Sequence, residues 1–273
     1  MIKNRLPIII IGIPSVLWIL NSGGIVFFTA LTTVALFCIH EFYGLAKAKE
    51  FAPNYFTGYI FVVMISCLYF NIFNISLIWC LAFLFLSLIS TIFIETFRYS
   101  INPIVNTSIT FLGILYVGGL FCSMIALREF DSFNGTNFTL MMLASVWICD
   151  SFAYIFGKSF GKKKLIQRLS PNKTIMGFCA GIIGAFISIY TLNYFGIISY
   201  NLNLYSIIIL AVIIGVFGQW GDIAESMFKR DAKIKDSGKI LMGHGGFLDR
   251  CDSLIITSPL VLLYVLYLQN QIF

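Results

Sequence analysis

The sequence has little charge. Only 11% of its 273 residues are charged, whereas a soluble globular domain carries about 25%. So few ionic side chains cannot cover a water-facing surface, and the composition therefore excludes an ordinary soluble enzyme and a disordered chain. With 59% hydrophobic residues and a mean hydropathy of +0.92, it predicts an all-α, polytopic integral membrane protein.

Paired cysteines are also missing. The seven cysteines form no Cys-x-x-Cys pair, and most lie inside apolar runs, where cysteine behaves as a small hydrophobic residue. The pattern excludes a secreted disulfide scaffold and predicts no zinc site. The net charge of +6 predicts no nucleic-acid partner, because lysine and arginine in a membrane protein report orientation.

Apolar runs between charged residues and Pro, Gly or Asn breaks predict about nine membrane-spanning helices, which at roughly 20 residues each leave no room for a separate soluble domain. Met1–Leu20 could be a cleaved signal peptide, but no small-residue cleavage site follows it, so we interpret it as the first span. The predicted spans are Leu6–Leu20, Ile25–Phe42, Phe56–Phe73, Ile75–Phe93, Ile104–Leu127, Phe138–Phe156, Thr174–Phe195, Leu204–Gln219 and Leu254–Leu268.

The basic residues predict the orientation. If the amino terminus is cytoplasmic, nine spans place 17 of the 18 basic residues inside and only Arg128 outside. The opposite orientation violates the positive-inside rule. We therefore predict a cytoplasmic amino terminus and an external carboxy terminus, with a scaffold at residues 1–137 that could dimerise and site-bearing helices at 138–273.

Most of the charge is concentrated in two predicted cytoplasmic loops, residues 157–173 and 221–252. Together with Asp150 they carry 12 of the 18 basic and 7 of the 12 acidic residues. The orientation of the protein in the membrane requires only a few lysines in these loops. The additional charged residues therefore predict a functional site. The alternative for the second loop is a solvated surface with ion pairs along a helix. The alternative for the lysines of the first loop is contact with anionic lipids.

The second loop combines acids, bases and glycines. If residues 222–233 are helical, one face carries alternating acidic and basic groups: Asp222, Glu225, Ser226, Lys229 and Lys233. Asp249 and Asp252 are three residues apart, and carboxylates in such a position suit Mg²⁺ shared with substrate phosphates. The glycines around His244 allow backbone N–H groups to approach a phosphate. His244 itself is suited either to acid–base catalysis or to a structural hydrogen bond.

The first loop adds a carboxylate inside an apolar run, Asp150, which is a candidate functional residue because charge is costly within a membrane. Lysines spaced by glycines follow from Lys158 onward and suit a polyphosphate. The segment Ser170-Pro171-Asn172-Lys173-Thr174 is in part an ordinary helix start, with proline near the first turn.

These residues resemble the signature of the phosphatidate cytidylyltransferase (CDP-diacylglycerol synthase) family. The match is Ser226-x-x-Lys229-Arg230-x₄-Lys235-Asp236-x₆-Gly243-His244-Gly245-Gly246-x₂-Asp249-Arg250-x-Asp252, joined by Asp150-x-x-Ala153-Tyr154-x-x-Gly157-Lys158-x-x-Gly161-Lys162, Ser170-Pro171-x-Lys173-Thr174 and Glu41-Phe42-Tyr43-x-Leu45-Ala46. Only residues 150–252 are specific to the family. Met176 departs from it, since many members carry Glu or Gln there.

The resemblance implies that CTP and phosphatidic acid react to give CDP-diacylglycerol and pyrophosphate, with Mg²⁺ and with room for a second metal ion. It also implies a homodimer. On this basis Asp222 and Asp249 are the first predicted metal ligands, followed by Asp236 and Asp252. The substrate phosphates are predicted to be bound by the side chains of Lys158, Lys173, Lys229 and Arg230 and by the backbone of Gly243, Gly245 and Gly246. Ser226 and His244 are predicted to orient these phosphates. Lys235 and Arg250 complete the predicted catalytic set.

Two other functions remain open at this point. A CTP-dependent polyprenol or phytol kinase has similar basic loops but transfers the γ-phosphate to an alcohol. A transporter would concentrate polar groups near the bilayer midplane, whereas here they gather at one interface. The short chain, without a targeting extension, predicts a bacterial cytoplasmic (inner) membrane protein whose active site faces the cytoplasm.

Overall fold

The computed structural model describes residues 6–71, 77–98, 100–130, 134–198, 201–238 and 245–270. Within these residues the chain forms nine helical segments and one short antiparallel hairpin. The elements are α1 (Leu6–Ser22), α2 (Gly24–Lys47), α3 (Tyr55–Phe70), α4 (Leu77–Arg98), α5 (Pro103–Glu129), α6 (Asn134–Phe160), β1 (Lys164–Ile166), β2 (Ser170–Thr174), α7 (Ile175–Tyr194), α8 (Leu204–Asp231) and α9 (Leu248–Asn270).

Each predicted span corresponds to one helix, and the expected mostly helical membrane protein is confirmed. Seven helices of the described chain are long and apolar enough to cross a membrane. The other two, α1 with 17 residues and α3 with 16, are shorter. At 1.5 Å per residue they extend about 25 Å, less than the hydrocarbon core of roughly 30 Å. The number of nine spans therefore stays a prediction.

The hairpin departs from the all-α prediction. β1 and β2 pair through Lys164 with Thr174 and Ile166 with Ser170. Pro171 lies in β2 rather than in the first turn of a helix, and the extended backbone that proline favours in the residue before it is compatible with this strand. The helix starts later, at Ile175, where the Thr174 hydroxyl caps it by accepting the backbone N–H of Gly177 at 3.1 Å.

The predicted second loop is shorter than expected. Helix α8 continues to Asp231 instead of ending near Gln219, so of residues 221–252 only 232–247 lie between helices. The helix considered for residues 222–233 is present as far as Asp231, but it does not reach Lys233. Lys233 has a φ of +56°, and the backbone N–H of Ile234 donates to the Lys229 carbonyl at 3.0 Å, which is the Schellman pattern that ends a helix.

The described residues fall into two compact units. Unit 1 comprises those of Met1–Ala126 and Phe228–Cys251, and unit 2 comprises those of Leu127–Met227 and Asp252–Phe273. The functional division predicted at residue 137 stays a prediction.

Unit 1 is held together by hydrogen bonds between its helices as well as by apolar packing. The Tyr43 hydroxyl on α2 donates to the Thr110 carbonyl on α5 at 2.7 Å. The Asn106 amide donates to Glu95 at 2.9 Å and accepts the backbone N–H of Ala52 at 2.9 Å. These buried polar groups are therefore paired, and their hydrogen bonds fix the positions of α2, α4 and α5 relative to one another.

Unit 2 is built on the close packing of α6 and α7. A Cβ atom at Gly177 would lie 2.6 Å from the Ala153 carbonyl oxygen, so only glycine allows the two backbones to approach this closely. Farther along the same pair of helices, the hydroxyls of Ser145 and Ser188 are 3.0 Å apart. The tight crossing brings the end of α6 beside the start of α7, where the hairpin also joins.

Candidate active site

Unit 2 contains a polar cavity of about 590 Å³, a size typical of small-molecule sites. It is bounded by α6, the hairpin, the first turn of α7 and α8. Its lining consists of Asp150, Ala153, Tyr154, Gly157, Lys158, Gly161, Lys164, Leu165, Asn172, Lys173, Thr174, Gly177, Phe178, Gln219 and Asp222. The amino-terminal end of α7 carries the positive end of the helix dipole, which favours an anionic ligand.

Lys173 is held in this cavity by α8. Its Nζ atom lies 2.5 Å from Asp222 Oδ2 and donates to the Gln219 carbonyl at 3.3 Å. The Gln219 side chain in turn donates to the carbonyls of Phe178 at 3.0 Å and Gly215 at 2.7 Å. Gln219 directly follows a π-helical stretch of α8, Ile213–Gly218, a feature that is frequent at functional sites.

Several carboxylates interact in unit 2. Asp222 interacts electrostatically with Asp150 and with Asp252, and Asp252 also interacts with Glu225. Asp252 is buried, and its Oδ1 accepts the backbone N–H of Ser253 at 2.7 Å. Because like charges repel, this arrangement attracts a cation, and Lys173 supplies one positive charge.

The described residues hold no group of three or more His, Cys, Asp or Glu side chains placed to bind a metal ion by themselves. A hard cation at these carboxylates would therefore complete its shell with water or ligand oxygens. Mg²⁺ is commonly bound in this way, through one or two carboxylates and substrate phosphates.

Unit 1 contains a second polar cluster, centred on Asp249 at the start of α9. Asp249 Oδ1 lies 2.5 Å from Lys229 Nζ on the last turn of α8. Its Oδ2 accepts the backbone N–H of Gly246 at 2.7 Å, together with the backbone N–H and the hydroxyl of Ser237, both at 3.0 Å. Only 9% of the Asp249 side chain is exposed, so its orientation is fixed.

Glu41 belongs to the same cluster, although sequence reasoning did not place it among the site residues. It is buried on α2 and accepts the backbone N–H groups of Phe247 at 3.1 Å and Leu248 at 2.8 Å and the Ser237 hydroxyl at 2.9 Å. One signal could have found it. Like Asp150, it is a carboxylate within an apolar run.

The structure thus divides the predicted site residues between the two units. Unit 1 brings together Lys229, Asp249, Gly245 and Gly246; unit 2 brings together Lys158, Lys173, Asp222 and Asp252. Ser226 is half-buried on α8, whereas the side chains of Arg230, Lys235, Asp236 and Arg250 are exposed. Gly243 and His244 lie outside the described residues. Met176 is 45% exposed and is not in the cavity lining.

Replacing Gly246 by alanine is expected to disrupt the cluster around Asp249 and to lower any catalytic activity that depends on it. The new Cβ would overlap the Glu41 carboxylate, so the Gly246 N–H could no longer hold Asp249 in place. We expect a loss of roughly 10- to 100-fold in kcat, the usual effect of displacing a group that orients a site residue. Alanine at Gly44, where a Cβ would meet nothing within 4 Å, is the matched control and should leave kcat unchanged. Equal kcat values for both variants would contradict the prediction.

Fold and site together define a helical membrane protein with a nucleotide-sized cavity lined by lysines and carboxylates. Comparison with known proteins identifies its family. The profile of the cytidylyltransferase family matches residues 3–268, and the chain belongs to this family. The resemblance predicted from the sequence is confirmed.

Curated relatives are similar over part of the chain. Over 150 residues it is 42% identical to the phosphatidate cytidylyltransferase of Staphylococcus haemolyticus and 41% identical to those of Staphylococcus saprophyticus and Staphylococcus aureus. Each match covers 55% of this chain and 55% of the relative. The match therefore spans about half the length of these relatives.

Proposed function

We propose that the protein transfers the CMP moiety of CTP to phosphatidic acid and produces CDP-diacylglycerol and pyrophosphate for phospholipid biosynthesis. The observation that carries the proposal is the cavity of unit 2. Its size suits a nucleotide, and its lysines and carboxylates suit a metal-bound polyphosphate. Membership in the cytidylyltransferase family and the names of the similar relatives support the choice of CTP and phosphatidate.

The reaction needs no covalent intermediate on the protein. A phosphate oxygen of the lipid attacks the α-phosphorus of CTP, a new oxygen–phosphorus bond forms, and the bond to the β-phosphate breaks with departure of pyrophosphate. The protein has to align two anions and offset their charge. Lys173, Lys158 and Lys164 line the cavity and would bind the CTP phosphates.

Mg²⁺ is part of the proposal. The carboxylates of Asp222, Asp150 and Asp252 repel one another and so favour a divalent cation, whose ligand shell phosphate or water oxygens would complete. When bound there, the cation would offset negative charge on the phosphates and on the leaving pyrophosphate. The roles of Asp249 and Asp236 as further ligands, and a second metal ion, stay predictions.

The proposed orientation has nine spans, a cytoplasmic amino terminus and both charged segments facing the cytoplasm of a bacterial inner membrane. It is supported by the 17 of 18 basic residues that this orientation places inside. CTP is available on that side. The acyl chains of phosphatidic acid would remain in the bilayer while its phosphate meets CTP at the interface. A homodimer also belongs to the proposal.

The orientation predicts a labelling result. A cysteine at Lys163, an exposed position beside the hairpin, should react with a membrane-impermeant maleimide in inside-out vesicles and not in right-side-out ones. Among the described cysteines Cys67 and Cys179 are exposed, and these two together with Cys80 are first replaced by serine to remove background. Labelling of Lys163→Cys only in right-side-out vesicles would contradict the orientation.

The proposed reaction is tested with purified protein, phosphatidic acid, a polyprenol as a competing alcohol acceptor, Mg²⁺ and CTP labelled at either the α- or the γ-phosphate. We expect the α-label in the lipid product and the γ-label in pyrophosphate. Transfer of the γ-label to a lipid would identify a CTP-dependent kinase instead. No label in lipid from either nucleotide would contradict both enzymatic functions.

A further inference from the structure

We propose that Glu41 is a positioning residue for catalysis, which holds Asp249 and the start of α9 in the reactive geometry. This inference rests on the proposed function. It assigns a role to the amino-terminal half of the chain, for which the chemistry described so far gives none.

Glu41 binds the backbone at the start of α9 through two hydrogen bonds. Its carboxylate accepts the backbone N–H groups of Phe247 and Leu248, at 3.1 and 2.8 Å, across more than 200 residues of sequence. Those N–H groups belong to the start of a helix, where no carbonyl within the helix can accept them and where negative charge is favourable. Glu41 therefore supplies from α2 the cap that α9 needs.

A second contact from α2 fixes the same segment. Phe37 lies four residues before Glu41, on the same face of the helix. Its ring stacks on that of Phe247, with centroids 4.9 Å apart and an angle of 12° between the planes. One face of α2 thus binds the backbone and the side chain of the residue that precedes α9.

Ser237 connects Glu41 to Asp249. Its hydroxyl lies 2.9 Å from Glu41 Oε2 and 3.0 Å from Asp249 Oδ2. A hydroxyl has one hydrogen and donates to one carboxylate at a time, so the two acids share it. The Ser237 N–H also donates to Asp249, at 3.0 Å. A displacement of Glu41 would therefore move Ser237 and, through it, Asp249.

The surrounding glycines are consistent with this arrangement. A Cβ atom at either Gly238 or Gly246 would overlap the Glu41 carboxylate, and one at Gly245 would lie 2.5 Å from Asp249 Oδ2. Both acids therefore approach the backbone at positions that only glycine leaves open. Burial of a carboxylate is unfavourable unless it is hydrogen-bonded, and Glu41 meets three donors.

The test compares Glu41→Ala, Glu41→Gln and a control in the assay with α-labelled CTP. We expect Glu41→Ala to lower kcat per folded protein roughly 10- to 100-fold with little change in KM for CTP. Glu41→Gln should lose less than Glu41→Ala, because its amide oxygen still accepts one of the two N–H groups while its NH₂ faces the other. Full activity of Glu41→Ala, or a loss confined to KM for CTP, would overturn the inference.

Glu95→Ala is the matched control for general destabilisation. Glu95 is a buried glutamate of the same unit with three polar partners, Arg98, Ser100 and Asn106. We expect Glu95→Ala to lower the thermal stability in detergent while kcat per folded protein stays unchanged. An equal loss of kcat in Glu95→Ala would show that Glu41 has a merely structural role, and so would overturn the inference.

Two outcomes need separate treatment. If Glu41→Ala does not fold, Glu41→Asp, whose carboxylate is one methylene shorter, should still lose kcat, and wild-type kcat in that variant would overturn the inference. A wild-type protein that forms no cytidine-containing lipid would contradict the proposed function itself. An active wild type with a fully active Glu41→Ala would contradict only the role of Glu41.

Discussion

Replacement of Asp249 by asparagine is expected to lower cytidylyl transfer by roughly 100- to 1000-fold, the range measured when a preorganised polar group is removed from an active site. One carboxylate oxygen faces Lys229, and the other faces the N–H of Gly246 and the Ser237 hydroxyl. Asparagine has only one oxygen, so its NH₂ group would face a donor in either orientation. The change therefore disrupts the cluster whether or not Asp249 also binds a metal.

The measurement is the rate of cytidine-labelled lipid formation, with the folded fraction determined by gel filtration in detergent. Asp231→Asn is the matched control. Asp231 lies on the last turn of α8 and pairs with Lys49, but its side chain is 66% exposed, so the change should have little effect. Near-normal turnover of Asp249→Asn would contradict its predicted role.

Replacement of Lys173 by methionine is the second change with a large expected effect. It removes the cation that pairs with Asp222 and leaves Asp222 opposed to Asp150 and Asp252. It also removes a positive group from the cavity proposed to bind the CTP phosphates. We expect kcat/KM for CTP to fall roughly 100- to 1000-fold.

Lys163→Met provides the comparison for this prediction. Lys163 is an exposed lysine of the same segment that does not line the cavity. Its replacement should leave kcat/KM for CTP close to the wild-type value. If both lysine variants lost the same activity, the lysines would act through general charge at the membrane surface, and the assignment of Lys173 would be wrong.

The helices were predictable from the sequence because apolar runs long enough to span a membrane leave few other structures. The helix ends were less predictable. Residues 219–231 are polar enough to be taken for a loop, yet α8 continues through them. The hairpin was missed because Ser170-Pro171 suits both a helix start and an extended strand, and the pairing of Lys164 with Thr174 decides between them.

The candidate site was predictable where charge is rare. Asp150 stood out for that reason, and Lys173 and Asp222 were predicted from the charged loops and the family resemblance; the structure places all three around one cavity. Glu41 was noted in the family resemblance but not predicted as a site residue, because its partners are backbone N–H groups more than 200 residues away, and sequence spacing carries no information on such contacts. The assignment of individual catalytic roles, including that of Asp236, stays a prediction.

The central claim is that a phosphate oxygen of the lipid attacks the α-phosphorus of CTP. It is tested most directly with phosphatidic acid that carries ¹⁸O in its phosphate group, incubated with purified protein, CTP and Mg²⁺. Mass spectrometry should find all of the ¹⁸O in CDP-diacylglycerol and none in pyrophosphate. Loss of ¹⁸O from the lipid, or a lipid product without cytidine, would contradict the claim.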